Sequence, residues 1–199
     1  MALRLVAVCL AAFVAACPAP PAQAGGTVTE RVVHYAIDGR TGAELYAAIG
    51  AKGPKLGKAR VIALTGFQLT WRRDYREENG GCRLASAVPK LIITTTLPKP
   101  SGRLPEAVRR SWTRFYDGVV IHERGHAQFI REMVGAMEVA TIGLSSADDP
   151  GCHKVRAELT SRLKRLSDAN RKRSAAFDRE EMGQGGRVEK MVLDLVNGP

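Results

Sequence analysis

Histidine and cysteine are scarce in this chain, with four of each in 199 residues, and aromatic residues make up only 6%. Beyond the N-terminus, no apolar run approaches the roughly 20 residues that a membrane-spanning helix needs, so no span is expected. The shortage of aromatics matters because the formal net charge is +10. Such a charge could serve nucleic acid, anionic envelope polymers or acidic substrates. The bases are scattered, however. No aromatic residues interleave with them, and no nucleic-acid motif is present, so nucleic acid is not an expected partner. The one dense run, Lys154 to Arg173, alternates with apolar residues as the solvated face of a helix does. Internal repeats are also lacking.

The N-terminus reads as an export signal. Arg4 gives a short positive start, Leu5 to Ala16 is apolar but too short to span a bilayer, and Pro18-Ala19-Pro20-Pro21 breaks any helix. Ala22-Gln23-Ala24 is an A-x-A cleavage site, which makes residues 1–24 a signal peptide and 25–199 a single mature domain. Val14-Ala15-Ala16-Cys17 also reads as a lipoprotein box, so acylation of Cys17 is the alternative to cleavage after Ala24. Either route exports the chain to the periplasm or the extracellular space. Of the four cysteines, only Cys82 and Cys152 lie outside this segment. In an oxidising compartment an isolated pair is most simply one disulfide. It would close a loop of about 70 residues and contribute about 4 kcal/mol in the chain-entropy model. Neither cysteine has metal-finger spacing; the adjacent Cys152-His153 leaves a Cys-ligated metal as the competing idea.

Against this background one hexapeptide carries chemistry: Ile121-His122-Glu123-Arg124-Gly125-His126. It spells H-E-x-x-H. On a helix, His122 and His126 sit one turn apart on one face, where both imidazoles can bind the same zinc ion. Zinc makes hydroxide available near neutral pH. Glu123 would take the proton as general base and pass it to the leaving amine. The competing reading is a solvated helix with two exposed histidines.

The remaining pattern sets the fold class. Arg31 to Ile37 alternates as a strand, and Thr41 with Glu44 forms a capping box for a short helix to about Ile49. Ala63, Thr65, Phe67, Leu69 and Trp71 share one face of a second strand running from Arg60 to Arg72. A polar turn over 74–81 ends in Asn79-Gly80-Gly81, a hairpin signal. Cys82 to Ser86 and Val88 to Leu97 read as two further strand pieces. Pro105 opens a helix in which Val108, Trp112, Phe115, Val119 and His122 recur at spacings of three and four, continuing to about Leu144. Gly118 and Gly125 inside it suggest close approach of a strand or of substrate backbone. A second long helix runs from about Cys152 to Phe177 with Val155, Leu159, Leu163 and Leu166 inward. Gly183 to Gly186 breaks it, and Val188 to Val196 forms a short terminal helix. The class is α+β: a small antiparallel sheet packed against two long helices, a zincin-like minimal architecture.

Catalytic zinc usually has three protein ligands and one open position. The third ligand is not fixed by the motif. Phe129 and Glu132 occupy the positions where metzincins carry Gly and His, which excludes that class, and Glu132 points away from His126 around the helix. A carboxylate on the following helix is needed instead. Glu158, Asp178, Glu180 and Glu181 lie on or just after it, and Asp148, Asp149 and His153 lie in the intervening turn. Asp178 and Glu181 are the leading candidates.

Several features in order resemble one family. They are Tyr35-x-Ile37-x-Gly39-x-Thr41 with Glu44-Leu45, Ala63-x-Thr65 with Trp71, Cys82, and the strand ending in Leu97-Pro98. Trp112, His122-Glu123-x-Gly125-His126, Cys152 and Phe177-Asp178 complete the set. The chain resembles the bacterial domain-of-unknown-function 922 family, described as predicted secreted zinc-dependent proteases. The resemblance implies zinc ligation by His122 and His126, Glu123 as general base, and a Cys82–Cys152 disulfide. One departure stands out. The family pattern places a Thr-x-His-Gly element after the aromatic-Asp pair and before Gln-Gly, whereas Phe177 to Gly185 contains no histidine. If that histidine completes the family's metal site, then Glu181 or Asp178 substitutes for it here, or zinc is bound weakly, or catalysis is lost.

The expected protein is therefore an exported, monomeric zinc metallopeptidase acting on peptides or proteins through Glu123, His122 and His126. A non-enzymatic envelope protein that keeps the fold, with or without a structural metal, is the alternative suggested by the missing histidine. A binder of anionic polymers is the third reading.

Overall fold

The structure, a computed structural model, describes residues 26–198. The expected signal peptide and the acylation candidate Cys17 lie outside the described residues. The elements in chain order are β1 (Thr27–Ile37), α1 (Gly42–Lys52), β2 (Lys55–Leu56), β3 (Ala59–Arg60), β4 (Leu64–Glu78), β5 (Gly81–Pro100), α2 (Glu106–Thr141), β6 (Ser145–Ser146), α3 (His153–Met182) and α4 (Arg187–Val196). The class is α+β, with the helices gathered on the sheet. No helix among the described residues is long and apolar enough to cross a membrane.

Local signals explain most boundaries. Thr41 caps α1: its hydroxyl accepts from the Glu44 N–H at 3.2 Å, and the Glu44 carboxylate accepts from the Thr41 N–H at 3.3 Å. Asn79 and Gly80 both have positive φ, 52° and 77°, as a two-residue type I′ hairpin turn requires. That turn is tighter than the polar loop expected over 74–81, so β4 runs on to Glu78. The two strand pieces expected after it are one continuous strand, β5, with a bulge at Ala85, where Asp74 pairs with Ser86 and Tyr75 with Leu84.

The sheet order is β1-β5-β4, with β6 paired to the start of β5. The expected antiparallel pairing holds for β4–β5 and β5–β6. β1 departs from it: it runs parallel to β5, from Thr27 opposite Lys90 to Ile37 opposite Pro100. A parallel pair needs a crossover connection. Here α1, the β2–β3 hairpin and β4 all lie between the two strands in sequence. The inner face of the sheet places Leu91 and Ile93 against Ala127, Ile130, Met133, Val134 and Met137 of α2. At the other end of α2, Val108, Trp112, Phe115 and Val119 pack with Ile37, Leu45, Ile49 and Leu97. One apolar stripe thus docks α2 along its length, and His122 lies on that stripe, 2% exposed.

Gly118 and Gly125 do allow close approach, but of neighbouring helices rather than of a strand. A Cβ on Gly118 would lie 1.8 Å from Met191 Sδ of α4, and one on Gly125 would lie 3.0 Å from the Phe177 ring of α3. The start of α3 is fixed twice. Cys82 and Cys152 form a disulfide with a Cα–Cα distance of 5.2 Å. Asp149, 2% exposed, accepts from the backbone N–H groups of Lys154 (2.8 Å) and Val155 (3.0 Å), and its own N–H donates to the Gly80 carbonyl (2.8 Å). Burial opposes ionisation of Asp149, but these backbone donors outweigh it and hold its pKa below the usual carboxylate value.

The Cys82–Cys152 crosslink spans 70 residues. Replacing both cysteines by serine should lower unfolding stability by about 4 kcal/mol in the chain-entropy model. Urea denaturation of the two proteins measures this; a midpoint unchanged by the double substitution would contradict it.

Candidate metal centre

The stripe that docks α2 carries His122 into the interior, and the helical repeat puts His126 one turn on. Glu123, 4% exposed, points to β4. Its Oε2 accepts from the Thr65 hydroxyl at 2.7 Å, and that hydroxyl also lies 3.1 Å from Thr95 Oγ1 on β5. Alternation along β4 turns Thr65 inward with Phe67, Leu69 and Trp71, so the sheet fixes where the Glu123 carboxylate lies. Burial raises the Glu123 pKa, and the Thr65 hydrogen bond and the two histidines only partly offset this.

Asp178 comes from the far end of α3. Its Oδ1 lies 2.9 Å from His126 Nε2 and 3.3 Å from His122 Nε2, and the two Nε2 atoms are 3.1 Å apart. Burial disfavours the charged Asp178 carboxylate, but both imidazoles outweigh it and hold its pKa well below the ordinary value. Burial works against a charged His126, whereas Asp178 beside it favours one, and the net pKa is raised. With each imidazole neutral and its proton on Nδ1, three lone pairs would aim at one point with nothing positive between them. Either a cation at that point or a proton on His126 Nε2, which Asp178 favours, resolves that arrangement. The spacing fits: tetrahedral bonds of about 2.0 Å place ligand atoms roughly 3.3 Å apart. His122, His126 and Asp178 are also the group among the described residues that could hold a metal ion on separation alone.

Phe177 packs this cluster from behind. Its ring stacks on His122 with centroids 4.8 Å apart and an interplanar angle of 9°, and it meets His126 edge-on at 5.4 Å. The approach depends on Gly125 having no side chain.

Of the two leading carboxylate candidates, Asp178 reaches the shared point and Glu181 does not. Glu181 Oε2 lies 3.7 Å from the other ring nitrogen of His122, Nδ1, and is gripped by Arg187. The other acids fall elsewhere. Glu158 pairs with Arg162, Asp149 caps α3, Asp148 pairs with Lys154, and Glu132 pairs with Arg173. Glu180 is exposed, as is His153 at the start of α3. Sequence spacing gave no role to Arg187. It marked Thr65 and Phe177 only as matching positions, because their partners are remote in sequence.

A cleft of about 680 Å³ opens over the cluster. Leu56 of β2, Phe67 of β4, Ile130 of α2, and Ser174 and Met182 of α3 line it together with His122, Glu123, His126 and Asp178. Leu64 to Phe67, at the start of β4, are all among its lining residues. Because β4 ends the sheet order, its outer edge is unpaired among the described residues.

Residues 32–186 match a family described as a bacterial protein of unknown function, DUF922. The match covers most of the chain, and the chain belongs to that family. Neither the curated proteins nor the solved structures contain a match.

The Phe177 contact makes a prediction. Gly125→Val should displace the ring and destabilise the fold by about 1–3 kcal/mol, as overpacking does. Gly135→Ala on the same helix, where a Cβ meets nothing within 4 Å, should be neutral or stabilising through helix propensity. Thermal unfolding of the two variants compares them; equal midpoints would remove the packing argument.

Proposed function

We propose that this DUF922 family member is an exported zinc-dependent metallopeptidase, with residues 25–199 as its single functional unit. The observation that supports this most is the convergence of His122 Nε2, His126 Nε2 and Asp178 Oδ1 beside a buried carboxylate at the base of a cleft. In this reading His122, His126 and Asp178 would hold one zinc ion beside the cleft. Bound there, zinc would supply Lewis-acid activation of water and of the scissile carbonyl.

The chain's own residues account for the rest. Glu123 takes a proton from the attacking water and returns it to the leaving amine, a role that suits a carboxylate whose pKa burial has raised. Thr65 keeps that carboxylate on the cleft side by donating to Oε2. An extended peptide would lie along the free edge of β4 at Leu64 to Phe67, where backbone donors and acceptors have no partner in the sheet. Leu56, Phe67 and Met182 then offer apolar surface to substrate side chains. Asp178 takes the place that the family's late histidine would fill, so the departure in sequence need not remove a metal site. The Cys82–Cys152 disulfide suits an oxidising compartment outside the cytosol.

Metal analysis of the mature protein should find one zinc per chain, lost in His122→Ala and Asp178→Ala. Glu123→Gln should keep the zinc and reduce cleavage of a broad peptide library by about 10²–10⁴-fold. Metal-free protein after exposure to excess zinc, or zinc without cleavage of any peptide, would refute the reading.

Thr65→Val should lower kcat by roughly 10-fold, the effect of losing one hydrogen bond to a charged group, with KM little changed. Steady-state kinetics on the best library peptide decides this, and a kcat equal to wild type would release Thr65 from its role.

A further inference from the structure

We propose that Glu181, clamped by Arg187, is a positioning residue for the metal centre. Its carboxylate accepts a hydrogen bond from the Nδ1–H of His122 and so commits Nε2 to the point shared with His126 and Asp178. The proposal rests on the metal reading above and goes beyond it in assigning what stands behind the first ligand.

The case begins with an unexplained atom. His122 is 2% exposed, and its Nδ1 is buried without a hydrogen-bond partner. Buried ring nitrogens are normally paired. If Nε2 carries a lone pair for a cation, the proton must sit on Nδ1 and needs an acceptor. The acceptor at hand is Glu181 Oε2, 3.7 Å away, on a side chain 15% exposed. Closing to a hydrogen bond of about 2.9 Å takes less than an ångström of travel at the end of a flexible side chain.

Two features hold Glu181 for this task. Arg187, at the start of α4, grips it with both arms of its fork: Nη2 donates to Oε2 at 2.5 Å and Nε donates to Oε1 at 3.3 Å. Glu181 also follows Asp178 by three residues in α3, so the two carboxylates lie on the same helix face. One turn and a half of α3 therefore surrounds the His122 ring. Asp178 stands at Nε2, Phe177 stacks on the face, and Glu181 stands at Nδ1. The two nitrogens of an imidazole point away from one another, so Glu181 cannot share an ion held at Nε2. Its place is that of the outer carboxylate in a carboxylate–histidine–metal arrangement, which fixes the tautomer and orients the ring.

A purely structural Glu181–Arg187 ion pair joining α3 to α4 would predict something different, and zinc binding separates the two. Added zinc, competed against a chromogenic chelator, should bind Glu181→Ala about 10–100-fold more weakly than wild type. Glu181→Gln, which keeps an acceptor oxygen without the charge, should fall between them. Glu158→Gln, which breaks the ion pair with Arg162 nearer the start of α3, should match wild type. Nitrogen-15 labelling of histidine gives a second readout: the zinc-loaded wild type should show a slowly exchanging, downfield His122 Nδ1 proton that Glu181→Ala lacks. If Glu181→Ala does not fold, Arg187→Gln decides, since it leaves the carboxylate in place but frees it; zinc held several-fold more weakly is expected. Wild-type affinity in both Glu181→Ala and Arg187→Gln, or an Nδ1 proton unchanged in Glu181→Ala, overturns the proposal while leaving the metal site standing. A wild type that takes up no zinc overturns both.

Discussion

Burying His122 on the docking stripe of α2 is the constraint from which the rest of the site follows. The stripe runs Val108, Trp112, Phe115, Val119 and then His122, all at most 8% exposed. An imidazole in that position cannot be left to water, so its surroundings must supply partners for both nitrogens and a surface for its face. A single segment of α3, Phe177 to Glu181, lays a ring on its face, sets Asp178 at Nε2 and brings Glu181 to 3.7 Å from Nδ1. The same stripe locks the rotation of α2 against Leu91 and Ile93 of the sheet. Once that rotation is fixed, Glu123 has only one place to go, against Thr65, and His126 follows one turn later.

The two ends of α3 do different work. Its first turn is tied to the β4–β5 hairpin by the disulfide, by the Asp149 carboxylate and by the Asp149 N–H to Gly80. Near its other end it carries Asp178, whose carboxylate faces the Nε2 atoms of His122 and His126. Asp178 follows Cys152 by 26 residues along this helix, and at 1.5 Å per residue that is about 39 Å of rise between crosslink and site. A crosslink so far away narrows the unfolded ensemble but cannot aim a side chain to a fraction of an ångström. Aim has to come from contacts near Asp178: the Phe177 ring seated over Gly125, and Arg187 reaching from α4. This gives α4 a purpose that its short length and terminal position do not advertise. Met191 in the notch of Gly118 fixes α4 on α2, and Arg187 at its first turn then falls beside Glu181.

Much of this was legible in the sequence because it is local. Helix periodicity placed α2, α3 and α4 within a few residues of their ends, and the capping box at Thr41 and the Asn79-Gly80 turn each declare themselves in four residues or fewer. The H-E-x-x-H spacing located one face of the site for the same reason. What failed to show depends on pairing across long stretches of chain. Nothing in Arg31 to Ile37 says that the strand will run parallel to a partner more than 60 residues on, since alternation is identical in either direction. Thr65 and Glu123 are 58 residues apart, and only the packed sheet brings them together.

The third member of the candidate metal group lies between these cases. Helical phase singles out Asp178 and Glu181 as neighbours on one face of α3 and sets Glu180 aside. Phase alone cannot say which of the two meets Nε2, because that depends on how far α3 slides along α2. A slide of one residue is 1.5 Å, enough to exchange a ligand distance for a miss. The slide is set where a ring meets a glycine: Phe177 can seat on His122 only with Gly125 beneath it, and with Phe177 seated the next residue, Asp178, lies at the two Nε2 atoms. The glycine inside the motif is thus what selects Asp178 over Glu181, although it touches no ligand atom itself.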